Sequence, residues 1–357
     1  MLHAIIMAGG SGTRFWPASR QDRPKQFLTL AADTPLVRST YERLDGLVPP
    51  ERVWVVTTAA TAERTRQVLP ELPAGNVIAE PTGRNTAACT GLAAHAALFV
   101  DSDATCLVFP ADHLIGQQDR FRSAMAAGAH VVDHEGGLLT FGVQPTAPET
   151  GYGYLELGAE HSREGEWTIH TLKRFVEKPD SVSATRYVES GRFLWNAGIF
   201  AWRAADLLDE LRRQLPDLAT GLEKIGAAVG TPRLDAVLAD VYPELPSTSV
   251  DFGIMENADH RWTIPVDFPW SDVGSWPALA EELPADPSAN RIHGRVHVDG
   301  AHGNILISTG PTLSVVGVDD LVVVTTPDAV LVVPRDQAQR VKDVVEALRA
   351  KGWDDVL

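Results

Sequence analysis

The stretch Leu2-His-Ala-Ile-Ile-Met-Ala-Gly-Gly-Ser-Gly-Thr-Arg-Phe-Trp-Pro17, followed by Arg20, Pro24, Lys25 and Gln26, decides how this chain is read. Residues 2–7 are almost continuously apolar, the pattern of a short buried strand. The strand runs into Gly9, Gly10 and Gly12, where backbone N–H groups can come close to phosphate oxygens. From Arg14 to Lys25 the cations Arg14, Arg20, Arg23 and Lys25 face a single acid, Asp22. Two familiar phosphate loops are excluded. A P-loop puts Lys directly after its last Gly, whereas Thr13 and Arg14 follow Gly12. A dinucleotide fingerprint needs another Gly where Phe15 stands. Strand, glycine turn and clustered cations together predict a polyphosphate site.

Beyond this loop, β-rich runs at 52–57, 104–109 and 137–141 alternate with helical patterns at 34–44, 60–69, 86–100 and 119–133. That alternation predicts βαβ units and a largely parallel sheet. Ligands in such sheets sit beyond the carboxyl ends of strands, so loops there are expected to carry the chemistry. The second half is more mixed, with strands expected at 168–176 and 199–202 and one helix over 204–228. Residues 281–290, with Pro284 and Pro287, read as a linker. Short β runs broken by glycines follow over 291–333. A helix over 336–349 then carries Ala338, Val341, Val345 and Leu348 on one face. The expected division is a catalytic domain over 1–285 and a small β-rich domain over 286–357.

The chain has 357 residues, 44% hydrophobic and 22% charged, which suits a globular protein of about two domains. Its net charge of −16 argues against nucleic acid or an anionic membrane as partner, because both need a broad basic surface. Cys89 and Cys106 form no zinc pattern and no disulfide framework, which points to a reducing cytoplasm. Neither a targeting segment nor a membrane span is expected.

The first loop resembles the signature of sugar-1-phosphate nucleotidylyltransferases. Trp16-Pro-Ala-Ser-Arg and Pro24-Lys-Gln-Phe are similar to the form found in bacterial mannose-1-phosphate guanylyltransferases. Further stretches agree in order and spacing. They are Glu80-Pro-Thr-Gly-Arg-Asn-Thr-Ala, Phe109-Pro-Ala-Asp-His, Thr150-Gly-Tyr-Gly-Tyr, Phe175-Val-Glu-Lys-Pro, Trp195-Asn-Ala-Gly-Ile-Phe, Val250-Asp-Phe-Gly-Ile-Met-Glu and Trp270-Ser-Asp-Val-Gly-Ser-Trp. The likeness runs nearly end to end. Many members continue into a cupin-like phosphomannose isomerase domain; this sequence stops at Leu357, so isomerase activity is not expected.

Each motif has its own chemical reading. Asp112 follows a strand, where a carboxylate suits Mg²⁺, an ion that fills its other positions with water and phosphate oxygens; the alternative is a helix N-cap. His113 is a poorer metal candidate. Asp272 is the natural second carboxylate, against a plain turn-stabilising role, and the resemblance implies that Asp112 and Asp272 share the metal. Glu80 offers acceptors to guanine N1 and N2; related thymidylyl- and uridylyltransferases carry Gln there. Its alternative is a solvated loop acid. Arg84 and Asn85 are placed for base or ribose, or for capping a helix. Lys178 can clamp the sugar phosphate, with Glu177 accepting from sugar hydroxyls, although a surface Glu-Lys pair is the commoner arrangement. Asn196, in an apolar run, needs polar partners, and Gly151 and Gly153 allow close approach to a sugar.

The resemblance therefore implies a Rossmann-like α/β nucleotidylyltransferase domain with a mixed, mainly parallel sheet and a small β-rich C-terminal domain. The expected reaction is GTP plus mannose 1-phosphate giving GDP-mannose and pyrophosphate, with Mg²⁺. Gly9, Gly10, Ser11, Gly12, Thr13, Arg14, Glu80, Asn85 and Asp112 would bind nucleotide. Gly153, Glu177, Lys178 and Asn196 would bind the sugar phosphate, and Arg14, Lys25, Asp112 and Lys178 would act in catalysis. A relative using another sugar or base, or a non-catalytic GDP-mannose sensor, are the alternatives. The β-rich domain is a candidate homodimer contact, although none of its residues shows this.

Overall fold

The apolar runs of the first half assemble into a nine-stranded sheet. A computed structural model describes residues 1–10, 12–29 and 34–357; Ser11, a predicted phosphate-loop residue, and residues 30–33 lie outside the described residues. The chain forms two compact units. One comprises Met1–Gly9, Thr40–Ala111 and Ile115–Trp270; the other comprises Gly10–Ser39, Asp112–Leu114 and Ser271–Leu357.

The first unit holds strands β1 (Leu2–Ala8), β2 (Val53–Thr58), β3 (Val77–Glu80), β4 (Thr105–Pro110), β5 (Leu138–Val143), β6 (Tyr154–Glu164), β7 (Trp167–Val176), β8 (Phe193–Arg203) and β9 (Arg261–Val266). Their order is β3-β2-β1-β4-β8-β5-β9-β7-β6. The pairings among β3, β2, β1 and β4 are parallel, as is β5 with β9; β8 runs antiparallel to both β4 and β5. The fold is α/β with a mixed sheet whose parallel part carries the first loops. Strands β1, β2 and β4 are buried on both faces, which explains their unbroken apolar sequence. The helix Asn85–Val100 covers this part with an alanine-rich surface that is buried along most of its length.

Two expectations are corrected. The single helix expected over 204–228 is two helices, Ala204–Gln214 and Pro216–Gly226. Pro216 has no N–H for the preceding helix and drives Leu215 out of helical geometry, yet it suits the first turn of the next one. The strand expected at 199–202 begins six residues earlier, at Phe193. Asn196 and Gly198 interrupt its apolar pattern, and both sit inside the strand. Strand β6 is not predicted by the sequence pattern. Its outer half, with Glu160, His161 and Arg163, is largely solvent-facing, and it forms a hairpin with β7 through Gly165 and Glu166.

The second unit contains β10 (Arg291–Asp299), β11 (Ile305–Val316), β12 (Leu321–Thr325) and β13 (Val330–Pro334) in that order. The first two pairings are parallel and the last antiparallel. The helix Val341–Ala350 follows a 3-10 turn, with Ala338, Val341 and Val345 buried on the expected face. They share a core with Phe15, Trp16, Val273, Trp276, Ile305, Ile307 and Val322. The Trp16 indole N–H donates to the carbonyl of Val356 (2.7 Å), and that of Trp276 to the carbonyl of Trp16 (3.2 Å). Among the described residues, no helix is long and apolar enough to cross a membrane.

Candidate active site

The glycine loop owes its shape to close packing rather than to hydrogen bonding alone. Gly12 has φ +60°, and a Cβ there would lie 2.4 Å from Cβ of Lys25. Only glycine therefore lets the loop lie on Lys25. Lys25 is buried, and its ammonium donates to Oδ2 of Asp112 (2.8 Å) and to the carbonyl of Asp272 (2.5 Å). One lysine thus ties together the two carboxylate-bearing loops singled out for the metal. Asp112 lies two residues beyond β4, and a strand rather than a helix follows, so it caps no helix. Burial opposes its ionisation, but the charges of Lys25 and His113 and the bond from Lys25 hold its carboxyl below the ordinary carboxylate range. Asp272 Oδ1 accepts from the N–H of Gly274 (3.0 Å), and the next residue, Val273, is held at φ +46°. A β-branched residue in that region is strained, and such strain concentrates at functional sites.

These groups line one cleft of about 290 Å³, together with Thr13 and Arg14. Its donor set suits a hard divalent cation that takes few protein ligands: two carboxylates, with no cluster of three His, Cys, Asp or Glu among the described residues.

Glu80 is the last residue of β3 and is only 3% exposed, so it is no solvated loop acid. The Tyr242 hydroxyl donates to its Oε1. Burial pushes the Glu80 carboxyl up to about 7, against the pull of that hydrogen bond. Tyr242 is itself fully buried, and burial and the Glu80 charge raise its own pKa. The thiol of Cys89, also buried, is raised well above its usual value. Glu80 therefore sits on a dry wall made by a phenol and a thiol. A side chain on Gly9 would meet its Oε2 at 3.1 Å. Asn85 has φ +64°, and its Oδ1 accepts from the N–H of Thr86 (2.8 Å) at the head of the helix. Arg84 Nε is buried without a hydrogen-bond partner.

A third group gathers at the ends of β7 and β8. Lys178, at φ +44°, bonds through its ammonium to Glu177 Oε1 and is 63% exposed. The surface pair weighed against a binding role does form. Gly153 is needed for close approach, since a Cβ there would be 2.9 Å from Glu177 Oε2 and 3.3 Å from Asn196 Cβ. Asn196 is oriented fully: Thr140 Oγ1 donates to its Oδ1 (2.8 Å), and its Nδ2 donates to Asp251 Oδ1 (2.8 Å). Burial and the Glu177 charge push the Asp251 carboxyl up to about 6. The sequence alone assigns no role to Asp251 or Tyr242. Asp251 stands inside a quoted motif, which is the available signal; Tyr242 stands outside every motif.

Comparison with known proteins decides the family. Residues 3–288 match the nucleotidyl transferase family, and residues 294–348 match the MannoseP isomerase/GMP-like beta-helix domain. A mannose-1-phosphate guanylyltransferase of Escherichia coli K12 is 40% identical over 360 residues, covering 98% of this chain and 74% of that protein. The chain belongs to the mannose-1-phosphate guanylyltransferase family. A second relative of that name, from Klebsiella pneumoniae, is 39% identical over 98% of the chain. A crystal structure from Thermus thermophilus, described as a mannose-1-phosphate geranyltransferase, superposes with a TM-score of 0.86 at 37% identity, covering 98% of this chain and 99% of that one. For a member of this family, the parallel first two pairings of β10–β12 are those of its β-helix domain.

Proposed function

We propose that this enzyme transfers GMP from GTP to α-D-mannose 1-phosphate, forming GDP-mannose and pyrophosphate. The observation that carries the reading is the cleft in which Gly12, Arg14, Lys25, Asp112 and Asp272 meet, in a chain with guanylyltransferase relatives over almost its whole length. The phosphate oxygen of mannose 1-phosphate is already an anion, so it attacks the α-phosphorus without a general base. A new P–O bond forms in line with the breaking bond to the β-phosphate, and pyrophosphate leaves. Catalysis is then positioning and neutralisation of charge.

The proposed roles are supported by each group's surroundings. The loop amides of Gly9, Gly10, Ser11, Gly12 and Thr13, with Arg14, hold the triphosphate. Lys25 fixes Asp112 and the 272 loop in place. Asp112 and Asp272 would hold Mg²⁺, which when bound neutralises phosphate charge. Glu80 accepts from guanine N1–H and N2–H, with Asn85 beside it at the helix head. Lys178 takes the phosphate of the sugar, exchanging its Glu177 partner for a dianion. Glu177 and Asn196 accept from or donate to sugar hydroxyls across Gly153. The catalytic domain is assigned to residues 1–285 and the β-helix domain to 286–357, and a cytoplasmic setting suits the two buried free cysteines. Pyrophosphate release measured with GTP, UTP, ATP and dTTP against mannose 1-phosphate and glucose 1-phosphate tests the reading. Turnover should be highest with GTP and mannose 1-phosphate; no GDP-mannose from that pair would overturn it.

A further inference from the structure

The phosphate cleft has one lining residue that no sequence motif singles out. Lys342 faces it alongside Arg14, Lys25, Asp112 and Asp272. Lys342 is the second residue of the helix Val341–Ala350, and it belongs to the stretch that matches the β-helix domain, not the nucleotidyl transferase family. Its position has a packing cause. Val341 and Val345 are buried in the core that also holds Phe15, so the helix is seated against the Thr13–Phe15 turn. The residue after Val341 is rotated about 100° from it on a helix of 3.6 residues per turn, which leaves Lys342 exposed at the edge of that seat.

Charge decides what Lys342 can do there. Lys25 is already committed to Asp112 and to the Asp272 carbonyl. Among the described residues, neither the Arg14 nor the Lys342 side chain makes a hydrogen bond or ion pair. Without Lys342, the cations Arg14 and Lys25 only balance the carboxylates Asp112 and Asp272. Lys342 makes the cleft's side chains net positive. Lys25 is buried and fixed, whereas Lys342 is a point charge on a flexible stem at the rim, able to follow a group that moves.

We propose that Lys342 binds the β- and γ-phosphates of GTP and the pyrophosphate they become, so that the C-terminal β-helix domain supplies a phosphate-binding cation to the reaction. The proposal rests on reading the cleft as the triphosphate site. It gives the C-terminal domain a direct part in substrate binding, beyond support of the fold.

The test uses the full chain and the variants Lys342→Ala, Lys342→Arg and Lys342→Glu. Pyrophosphate binding is measured by calorimetry, and KM values for GTP and mannose 1-phosphate by product formation. Loss of one charge-assisted contact is expected to weaken pyrophosphate binding and raise the GTP KM about tenfold in Lys342→Ala. Lys342→Glu should be weaker still, and Lys342→Arg should stay within about threefold of wild type because the charge is kept. The mannose 1-phosphate KM should not move. Unchanged pyrophosphate affinity in Lys342→Ala overturns the proposal. So does an equal loss for both substrates with a lowered melting temperature in all three variants, since that marks a structural role. The binding arm also separates the two readings. Pyrophosphate binding that depends on Lys342 in a protein making no GDP-mannose would sink the proposed reaction and keep this site. Product formation indifferent to Lys342 would do the reverse.

Discussion

Asp112 and Glu80 are both carboxylates at or just beyond the carboxyl end of a strand in the parallel part of the sheet, and their surroundings drive them in opposite directions. Asp112 has an ammonium at 2.8 Å and an imidazole beside it, and it stays ionised below the ordinary range. Glu80 has a phenol and a thiol for neighbours, and burial lifts it to about 7. The difference teaches that the strand end supplies only the position. The adjoining loops and helices decide whether a carboxylate there is a permanent charge, fit for a metal, or a group whose ionisation a ligand's N–H donors can tip.

Breaking the charged member should cost most. Asp112→Asn is expected to lower turnover by several orders of magnitude while the circular dichroism spectrum stays that of wild type, because the proposed metal site would lose one of its two carboxylates. Near wild-type turnover at saturating Mg²⁺ would remove Asp112 from the metal. Lys178→Ala touches neither carboxylate and serves as the control. It should raise the mannose 1-phosphate KM about tenfold to a hundredfold, the range of a lost charge-assisted contact, with the GTP KM little changed. Equal effects on both substrates would put Lys178 on the triphosphate or in the structure.

Glu80→Gln should reduce kcat/KM for GTP about tenfold or more, since in the proposed base site Gln would turn one acceptor into a donor facing a guanine N–H. The gap to UTP and dTTP should narrow. The same variant has a stability signature of known sign. Glu80 in the folded state binds its proton up to about pH 7, above its ordinary value of 4.5. Across that window the folded state holds more protons than the unfolded one, so this group's contribution to stability falls as pH rises. Glu80→Gln abolishes that fall. Urea midpoints at pH 5 and pH 8 should therefore favour the variant, relative to wild type, at the higher pH. Tyr242→Phe is the finest test. Removing the donor lets the Glu80 carboxyl rise further, so the acid limb of kcat/KM for GTP should move to higher pH, with a loss of about threefold near pH 7 that recovers by pH 8.5. An unmoved limb would mean that Tyr242 only fills space.

Much of this is legible in the residues alone. Continuous apolar runs mark β1, β2 and β4, because strands buried on both faces leave a strong signal. The turn at Gly12 is legible because the glycines follow a buried strand directly. Strand β6 is not, since a hairpin arm with one wet face carries charges like a loop, and neither is the extent of β8, whose Asn196 and Gly198 break the apolar run from within the strand. Tyr242 and Lys342 lie far along the chain from Glu80 and Arg14. Nothing in their local sequence announces a partner; only the fold brings each to its cluster.

Phe15 and Trp16, three and four residues past Gly12, are buried among Val273, Trp276, Ile305 and Val341. A cut near residue 286, the natural place to shorten the gene, would strip Ile305 and Val341 from those two rings and the Val356 carbonyl from the Trp16 indole. Recombination between relatives meets the same restriction. A C-terminal domain taken from another member has to bring a surface that fits these two aromatic rings, so the loop and the β-helix domain are expected to exchange only as one block.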